Sequence, residues 1–463
     1  MVGVHVVGVL VVVLTCVTLH AIAREVLEPR LVALPPLLYA VASTAAVAPD
    51  SLAVNGELLM NLPTALAVLA ALHAARNDRG AAARLGLEVA AGAFVGCAAL
   101  YKYQAALVGL SLVVLPLHGE SGWRAKLRGL VSRGLALGLG LGIPLLVTAL
   151  YFWRRGALHE AIQWGVAFNA HYLKEGPDLS GAARRLAMQL LGVVLPSLLV
   201  YGGGLYGLAL CVPRGDPRAR RARQSLLGVE RGHALLVVWV LESIYSVTLG
   251  RRFFGHYFLQ LTLVLSIVAA GPVARLWTRA PKSMVAALAA PALFFFVFAG
   301  LPGWSATYVY AVDPDYDALG RAVRRETEPS ETIWVWGNVP QVYFAAERAP
   351  GVRFTFCNYL TGLSPGSRSE NDPTYDSRSN AVPGAWDLVV HDLDANRPAV
   401  IVDTAAGGMK SYGKFPVRSF PTFAEYLAAH YRAVGTVDGA VLYRRTEPSL
   451  GSYGSVVSGG GGC

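Results

Sequence analysis

From residue 2 to residue 301 the chain is a train of apolar blocks broken by short polar stretches. After residue 302 the pattern changes to that of a water-soluble domain. A helix needs about 20 apolar residues to cross a bilayer, at a rise of about 1.5 Å per residue. On that rule the blocks predict about ten spans, at 2–23, 31–48, 58–75, 86–101, 103–118, 134–153, 188–211, 233–249, 257–277 and 284–301. Only Tyr101-Lys102-Tyr103-Gln104 separates the fourth from the fifth. The expected fold class is mainly α, a polytopic membrane helical bundle over 1–301. A small α/β domain follows over 302–446, with a flexible tail at 447–463.

In the second part, runs of β-branched and aromatic residues mark strands at 332–336, 399–403 and 440–443. Helical periodicity marks amphipathic helices at 315–327 and 421–431. The stretch 362–384 is rich in Ser, Pro, Gly and Asp and reads as a loop. Asp403 ends a strand, where capping of the following turn is the favoured reading over catalysis. Neither a phosphate-binding glycine loop nor a hydrolase triad is present in the sequence.

Composition agrees with the pattern. Of 463 residues, 54% are hydrophobic and 15% charged, against about 25% charged in an ordinary soluble chain. That excludes a disordered protein, a coiled coil and a disulfide scaffold. The five cysteines form no CxxC pair, and Cys16, Cys97 and Cys211 sit in apolar blocks as small hydrophobes. The net charge of +10 does not call for nucleic acid, because loops between membrane helices carry Lys and Arg on the cytoplasmic side. Alternate loops hold 18 basic residues in one set and 8 in the other. The richest is 212–232. That asymmetry makes its set cytoplasmic and turns the other loops, with the domain after 302, outward.

Chemistry is therefore sought in the outward loops. In 48–57, Asp50 and Glu57 are carboxylates with Asn55 between them and no basic residue nearby. Asp50 or Asn55 reads equally as a helix cap. Glu57 opens an apolar helix at the membrane boundary, where a carboxylate can accept a proton from an alcohol, or hold a metal or a cationic sugar. Lys102 and Gln104 mark the next outward tip, either as an interface anchor or as a cation for a phosphate. Gly250-Arg251-Arg252-Phe253-Phe254-Gly255-His256-Tyr257 carries two arginines on the side where the charge rule disfavours them. They suit phosphate binding, with an aromatic belt and snorkelling Arg as the alternative. The loop 154–187 contains Trp164, Asn169, His171, Tyr172, Lys174, Arg184 and Arg185, and suggests helices lying on the membrane face. Glu242 lies within a span, where an ionisable group marks either a site or a helix-helix partner.

Taken in order, Asp50-Ser-Leu-Ala-Val-Asn55-Gly-Glu57, Lys102-Tyr-Gln104 and Arg251-Arg252-Phe-Phe-Gly-His256-Tyr257-Phe-Leu-Gln260 resemble polyprenyl-phosphate-dependent glycosyltransferases of the membrane GT-C class. The branch they resemble is bacterial, related to protein O-mannosyltransferases and the aminoarabinose transferase of lipid A. Trp336-Gly-Asn338-Val-Pro340-Gln-Val-Tyr343 is also similar to sequences downstream of the helices in that branch.

The resemblance implies a sugar carried on a polyprenyl phosphate and passed to a lipid, polysaccharide or protein acceptor outside the cytoplasm, at the cell inner membrane. It implies Glu57 or Asp50 as acidic groups, with Asn55, Lys102, Gln104, Arg251, Arg252, His256 and Tyr257 binding substrate. Membrane lipids are expected partners and nucleic acid is not. The resemblance points to no particular cofactor, and it leaves room for a divalent metal. The family pattern has a further N-terminal helix and an outward loop bearing its principal Asp. This sequence begins after that point, so the principal Asp maps onto no residue here. The expected alternatives are an inactive relative of the class or a transporter or flippase of the envelope, although the internal repeats common in transporters are not seen.

Overall fold

The computed structural model describes residues 2–44, 53–76, 78–115, 122–169, 176–211, 232–300 and 316–446. Asp50, the loop residues 212–231 and the tail 447–463 lie outside the described residues. The chain divides into two compact units, one of helices up to residue 310 and one from residue 311 onward, with a short piece at 175–178 assigned to the second.

The helical unit contains α1 (Val2–Val26), α2 (Leu34–Thr44), α3 (Gly56–Ala74), α4 (Ala81–Tyr101), α5 (Val108–Val114), α6 (Trp123–Arg154), α7 (Leu179–Gln189), α8 (Leu198–Cys211), α9 (His233–Thr248), α10 (Phe258–Val268), α11 (Ala270–Arg279) and α12 (Pro281–Gly300). Its centre is α10, in which every residue from Phe258 to Val268 is buried. A helix apolar on all sides must be surrounded, and α10 is packed by α2, α3, α8 and α9. The outer helices α1 and α6 instead show long apolar side chains such as Val9, Val17, Leu135 and Leu139 on the surface. That is stable only against lipid.

Among the described residues five helices are long and apolar enough to span a bilayer, or up to seven if each of two bent pairs counts as one. This differs from the straight blocks read from the sequence. The block 188–211 breaks at Leu195–Ser197, and the helices on either side meet at 106°. Pro196 sits in the break, and proline removes the amide that would continue the helix. The block 257–277 bends by 61° next to Ala269, just before Pro272. The block 103–118 yields an apolar helical stretch over Tyr103–Val114 only, opened by a tight turn at Tyr103–Leu107.

The closest helix packing is between α4 and α6. A Cβ on Gly92 would lie 2.1 Å from the Leu137 carbonyl oxygen, and one on Gly140 would lie 2.0 Å from that of Val89. Small residues let backbones approach where no water drives association. The approach also brings Glu88 to Arg133, whose Nε donates at 3.0 Å while Nη1 reaches the Leu112 carbonyl. Both side chains are nearly sealed, so removing either leaves a charge stranded.

The second unit is built on a four-stranded sheet of β1 (Ile333–Trp336), β2 (Val400–Asp403), β3 (Tyr431–Val437) and β4 (Ala440–Arg445), in the order β1-β2-β4-β3. β1 and β2 run parallel, with Ile333 opposite Val400 and Trp336 opposite Asp403. β4 pairs antiparallel with both β2 and β3. Helices α13 (Tyr316–Arg325) and α16 (Pro421–His430) fall where periodicity put them, separated by α14 (Gln341–Ala346) and α15 (Ala385–Asn396). β3 has no counterpart in the sequence reading, because it is an edge strand whose central residues are all exposed. Only short helical turns interrupt 362–384.

If the Gly92 approach holds the helical unit together, Gly92→Ala should destabilise it by about 1–3 kcal/mol, the usual cost of overpacking. Thermal unfolding in detergent measures this. An unchanged transition would mean that α4 and α6 do not meet in this way.

Candidate active site

Three separate stretches meet at one end of the helical unit. The first is the start of α3. Asn55 is its N-cap, with Oδ1 accepting a hydrogen bond from the Leu58 amide at 2.9 Å. This satisfies one of the open amides of the first turn and fixes the entry of the chain. Glu57 then falls within that first turn, where the positive end of the helix dipole favours a carboxylate.

The second stretch ends α4. Lys102 leaves the helix in extended conformation, at φ −150° and ψ 122°, and its Nζ stands 3.1 Å from Glu57 Oε1. The approach is tight. A Cβ at Gly56 would lie 3.0 Å from Lys102 Cε and 3.4 Å from the Tyr101 carbonyl oxygen.

The third stretch precedes α10. His256 Nε2 lies 3.9 Å from Glu57 Oε2. Lys102 Nζ lies over the Tyr257 ring, 5.4 Å from its centroid, in a favourable cation–π position. His256 stacks on Phe254 at 5.4 Å and 10° and meets Tyr257 edge-on at 4.9 Å. The Arg185 guanidinium, from α7, lies 5.6 Å from the Phe254 ring centroid.

The electrostatics are unusual at Glu57. Its side chain is 0% exposed, whereas that of Lys102 is 32% exposed. Among the described residues neither Glu57 oxygen accepts a hydrogen bond of good geometry. An isolated buried carboxylate is costly, so the anion rests on Lys102, on the helix terminus and on His256 when that ring is protonated. The arrangement offers a sealed carboxylate paired with a cation that still reaches solvent.

The turn that delivers His256 is strained. Gly250 (φ 70°), Arg251 (φ 54°) and Phe253 (φ 45°) are all left-handed. For Arg and Phe this conformation costs about 1–3 kcal/mol each. It turns Arg252 inward, to 1% exposed, and leaves Arg251 at the surface.

Of the residues expected from sequence, Glu57, Lys102, His256 and Tyr257 are therefore brought into contact, and Asn55 orients the first. Gln104 is half-buried in the turn after Lys102 and does not join the contacts on Glu57. Arg251 is exposed, Arg252 is buried, and Asp50 lies outside the described residues. Phe254 and Arg185 had been named only as members of their loops, and periodicity alone does not bring α7 to this turn.

Among the described residues no three His, Cys, Asp or Glu side chains gather to hold a metal. Glu57 and His256 would supply two ligands, but Lys102 already holds a positive charge at 3.1 Å from the carboxylate. This donor set does not fit a divalent cation. In the second unit Asp403 caps the turn after β2, with Oδ1 accepting from the amides of Ala405 at 3.0 Å and Ala406 at 3.3 Å. Burial pushes its pKa up, although those two amides oppose the shift.

Residues 1–153 match the family model of dolichyl-phosphate-mannose-protein mannosyltransferases. The structure aligns with apo ArnT from Cupriavidus metallidurans at a TM-score of 0.51 and 13% identity, covering 96% of this chain and 82% of that one. The chain carries the GT-C fold. It also aligns with the oligosaccharyltransferase AglB of Archaeoglobus fulgidus, at a TM-score of 0.44 and 15% identity, covering 95% of this chain. It spans 61% of the length of that archaeal protein. Sequence comparison with proteins of curated function gives no match.

The strain in the turn has a measurable consequence. Arg251→Gly removes a side chain from a left-handed position and should stabilise the protein by about 1 kcal/mol. A raised unfolding temperature is the expected result, and a lowered one would mean that the Arg251 side chain contributes more than its backbone costs.

Proposed function

We propose that this chain is a membrane glycosyltransferase that moves a sugar from a polyprenyl-phosphate donor to an extracytoplasmic acceptor. The observation that carries the reading is the convergence of Glu57, Lys102 and His256, from three stretches of a GT-C bundle, on one buried carboxylate. The mannosyltransferase family that matches the first 153 residues takes its name from a lipid-linked donor of this class. The loop charge count supports an outward position for this end and for the C-terminal unit.

In this reading the reaction is a displacement at the anomeric carbon of the donor sugar. The acceptor hydroxyl oxygen forms a bond to the anomeric carbon, and the bond from that carbon to the phosphate oxygen breaks. The phosphate leaves with the bonding electrons. Lys102 is the group placed to receive that growing charge, because it is cationic and solvent-accessible and turns on a flexible stem. As Lys102 swings to the phosphate, Glu57 loses its main compensating charge and becomes a better acceptor for the hydroxyl proton. Asp50 belongs to the same proposal as a second acidic group. Arg251 and Arg252 offer further phosphate contacts from the strained turn, and Tyr257, Asn55 and Gln104 shape the approach. The acceptor is a lipid, a glycan or a protein.

Purified protein in liposomes, given polyprenyl-phosphate sugars and envelope acceptors, tests this directly. Lys102→Ala should lower the transfer rate by about 100- to 1000-fold, the usual loss for one anion-stabilising contact, and Glu57→Gln by about 100- to 10,000-fold, the usual range for a general base. Full activity in both variants would make these residues a structural ion pair and end the assignment.

A further inference from the structure

One helical turn deeper than Glu57 the structure holds a second polar cluster, which the proposed chemistry does not use. Asn61 follows Glu57 by four positions and Gln260 follows His256 by four, so each lies on the same face of its stretch as the group above it. With Thr64 and the half-buried Glu242 they line a small pocket that Met60 and Trp239 also border. Asn61 is 1% exposed, and Thr64 and Gln260 are each 7% exposed.

Among the described residues three polar atoms here have no hydrogen-bond partner: Asn61 Oδ1, Thr64 Oγ1 and Gln260 Nε2. The Asn61 orientation is fixed from the other side, because its Nδ2 donates to Tyr39 Oη at 3.0 Å and to the Leu259 carbonyl at 3.2 Å. Its Oδ1 is thus left as an acceptor that needs a donor. Gln260 Nε2 is the reverse, a donor that needs an acceptor. Buried polar groups are satisfied in native proteins by protein or by ordered water. The cavity has room for about one water molecule.

The identity of the guest follows from the donor and acceptor count. A bare cation would satisfy Asn61 Oδ1 but would repel the Gln260 amide hydrogens. An anion would suit Gln260 but would be repelled by Asn61 Oδ1. A water both donates and accepts, with up to four partners, and meets all of these needs together.

We propose that this cavity holds one ordered water, and that through it Glu242 is a positioning residue for the site above. The water ties Glu242 of α9 to Asn61 of α3 and Gln260 of α10, the two elements that present Glu57 and His256. α9 contributes no side chain to the Glu57 contacts themselves. Its influence passes through the water to the spacing of those two elements. This deepens the glycosyltransferase reading, but the water site does not depend on it.

The test is a thermal double-mutant cycle on the full chain in detergent, with Glu242→Leu, Asn61→Leu and both together. Among the described residues no hydrogen bond joins Glu242 to Asn61 directly, but two side chains on one cavity can also couple sterically, so non-additivity counts for the bridge only together with the water peak below. A shared water predicts that each single variant lowers the unfolding temperature by about 1–3 °C, and that the double variant falls no further than the worse single one. Glu242→Gln, which keeps an acceptor, should restore the wild-type temperature. A density map that resolves ordered waters should show one peak between Asn61, Thr64 and Gln260 in the wild type and none in Glu242→Leu. Additive losses or an empty cavity would overturn the water bridge. If the protein transfers sugar, Glu242→Leu should lower kcat about tenfold with KM unchanged, and Glu242→Gln should restore it. Unchanged kcat would overturn the positioning role. Loss of all transfer in the wild type would overturn the enzymatic reading alone, because the thermal cycle and the water peak are read without activity.

Discussion

A carboxylate sealed from water must be held by opposite charge, and in this protein Glu57 is held by Lys102 at 3.1 Å. The rest of the helical unit can be read from that demand. Asn55 stops the chain from fraying so that Glu57 enters the first turn of α3. Gly56 leaves room for the lysine stem to cross the start of that helix. The turn with Gly250, Arg251 and Phe253 left-handed brings a histidine to the other carboxylate oxygen. Strain of that kind persists only where surrounding packing over-determines it, and here the fully buried helix α10 follows immediately.

The pair is also asymmetric, with the anion sealed and the cation half open. An ion pair sealed on both sides repays its desolvation only when its hydrogen bonds are satisfied, as those of Glu88 and Arg133 largely are between α4 and α6. The two pairs share a unit but differ in what they leave available. Arg133 is committed to Glu88 and to a carbonyl, whereas the Lys102 side chain stays partly exposed to solvent.

Much of this was legible in the sequence because charged groups in apolar surroundings are few. Glu57, Lys102, Arg251 and His256 stand out in the sequence as polar residues at the ends of apolar blocks, where each is costly to leave unpaired; three of them come together, and Arg251 stays at the surface. The strands at Ile333–Trp336 and Val400–Asp403 were legible because buried parallel strands are continuous apolar runs. The bends next to Pro196 and Pro272 were not drawn, since average hydropathy stays high through a break in a helix. The edge strand Tyr431–Val437 hides behind its exposed side chains. Asn61 and Gln260 look like ordinary helix polar residues until tertiary packing shows that they line one cavity.

The central claim is that Lys102 is shared between Glu57 and a donor phosphate. Equilibrium binding of a polyprenyl phosphate to the wild type, Lys102→Met and Glu57→Gln tests it most directly. If the lysine is shared, Lys102→Met weakens binding, while Glu57→Gln tightens it by releasing the lysine and removing a competing anion. Equal weakening in both variants would contradict the account, since the pair would then act only to hold the helices in place.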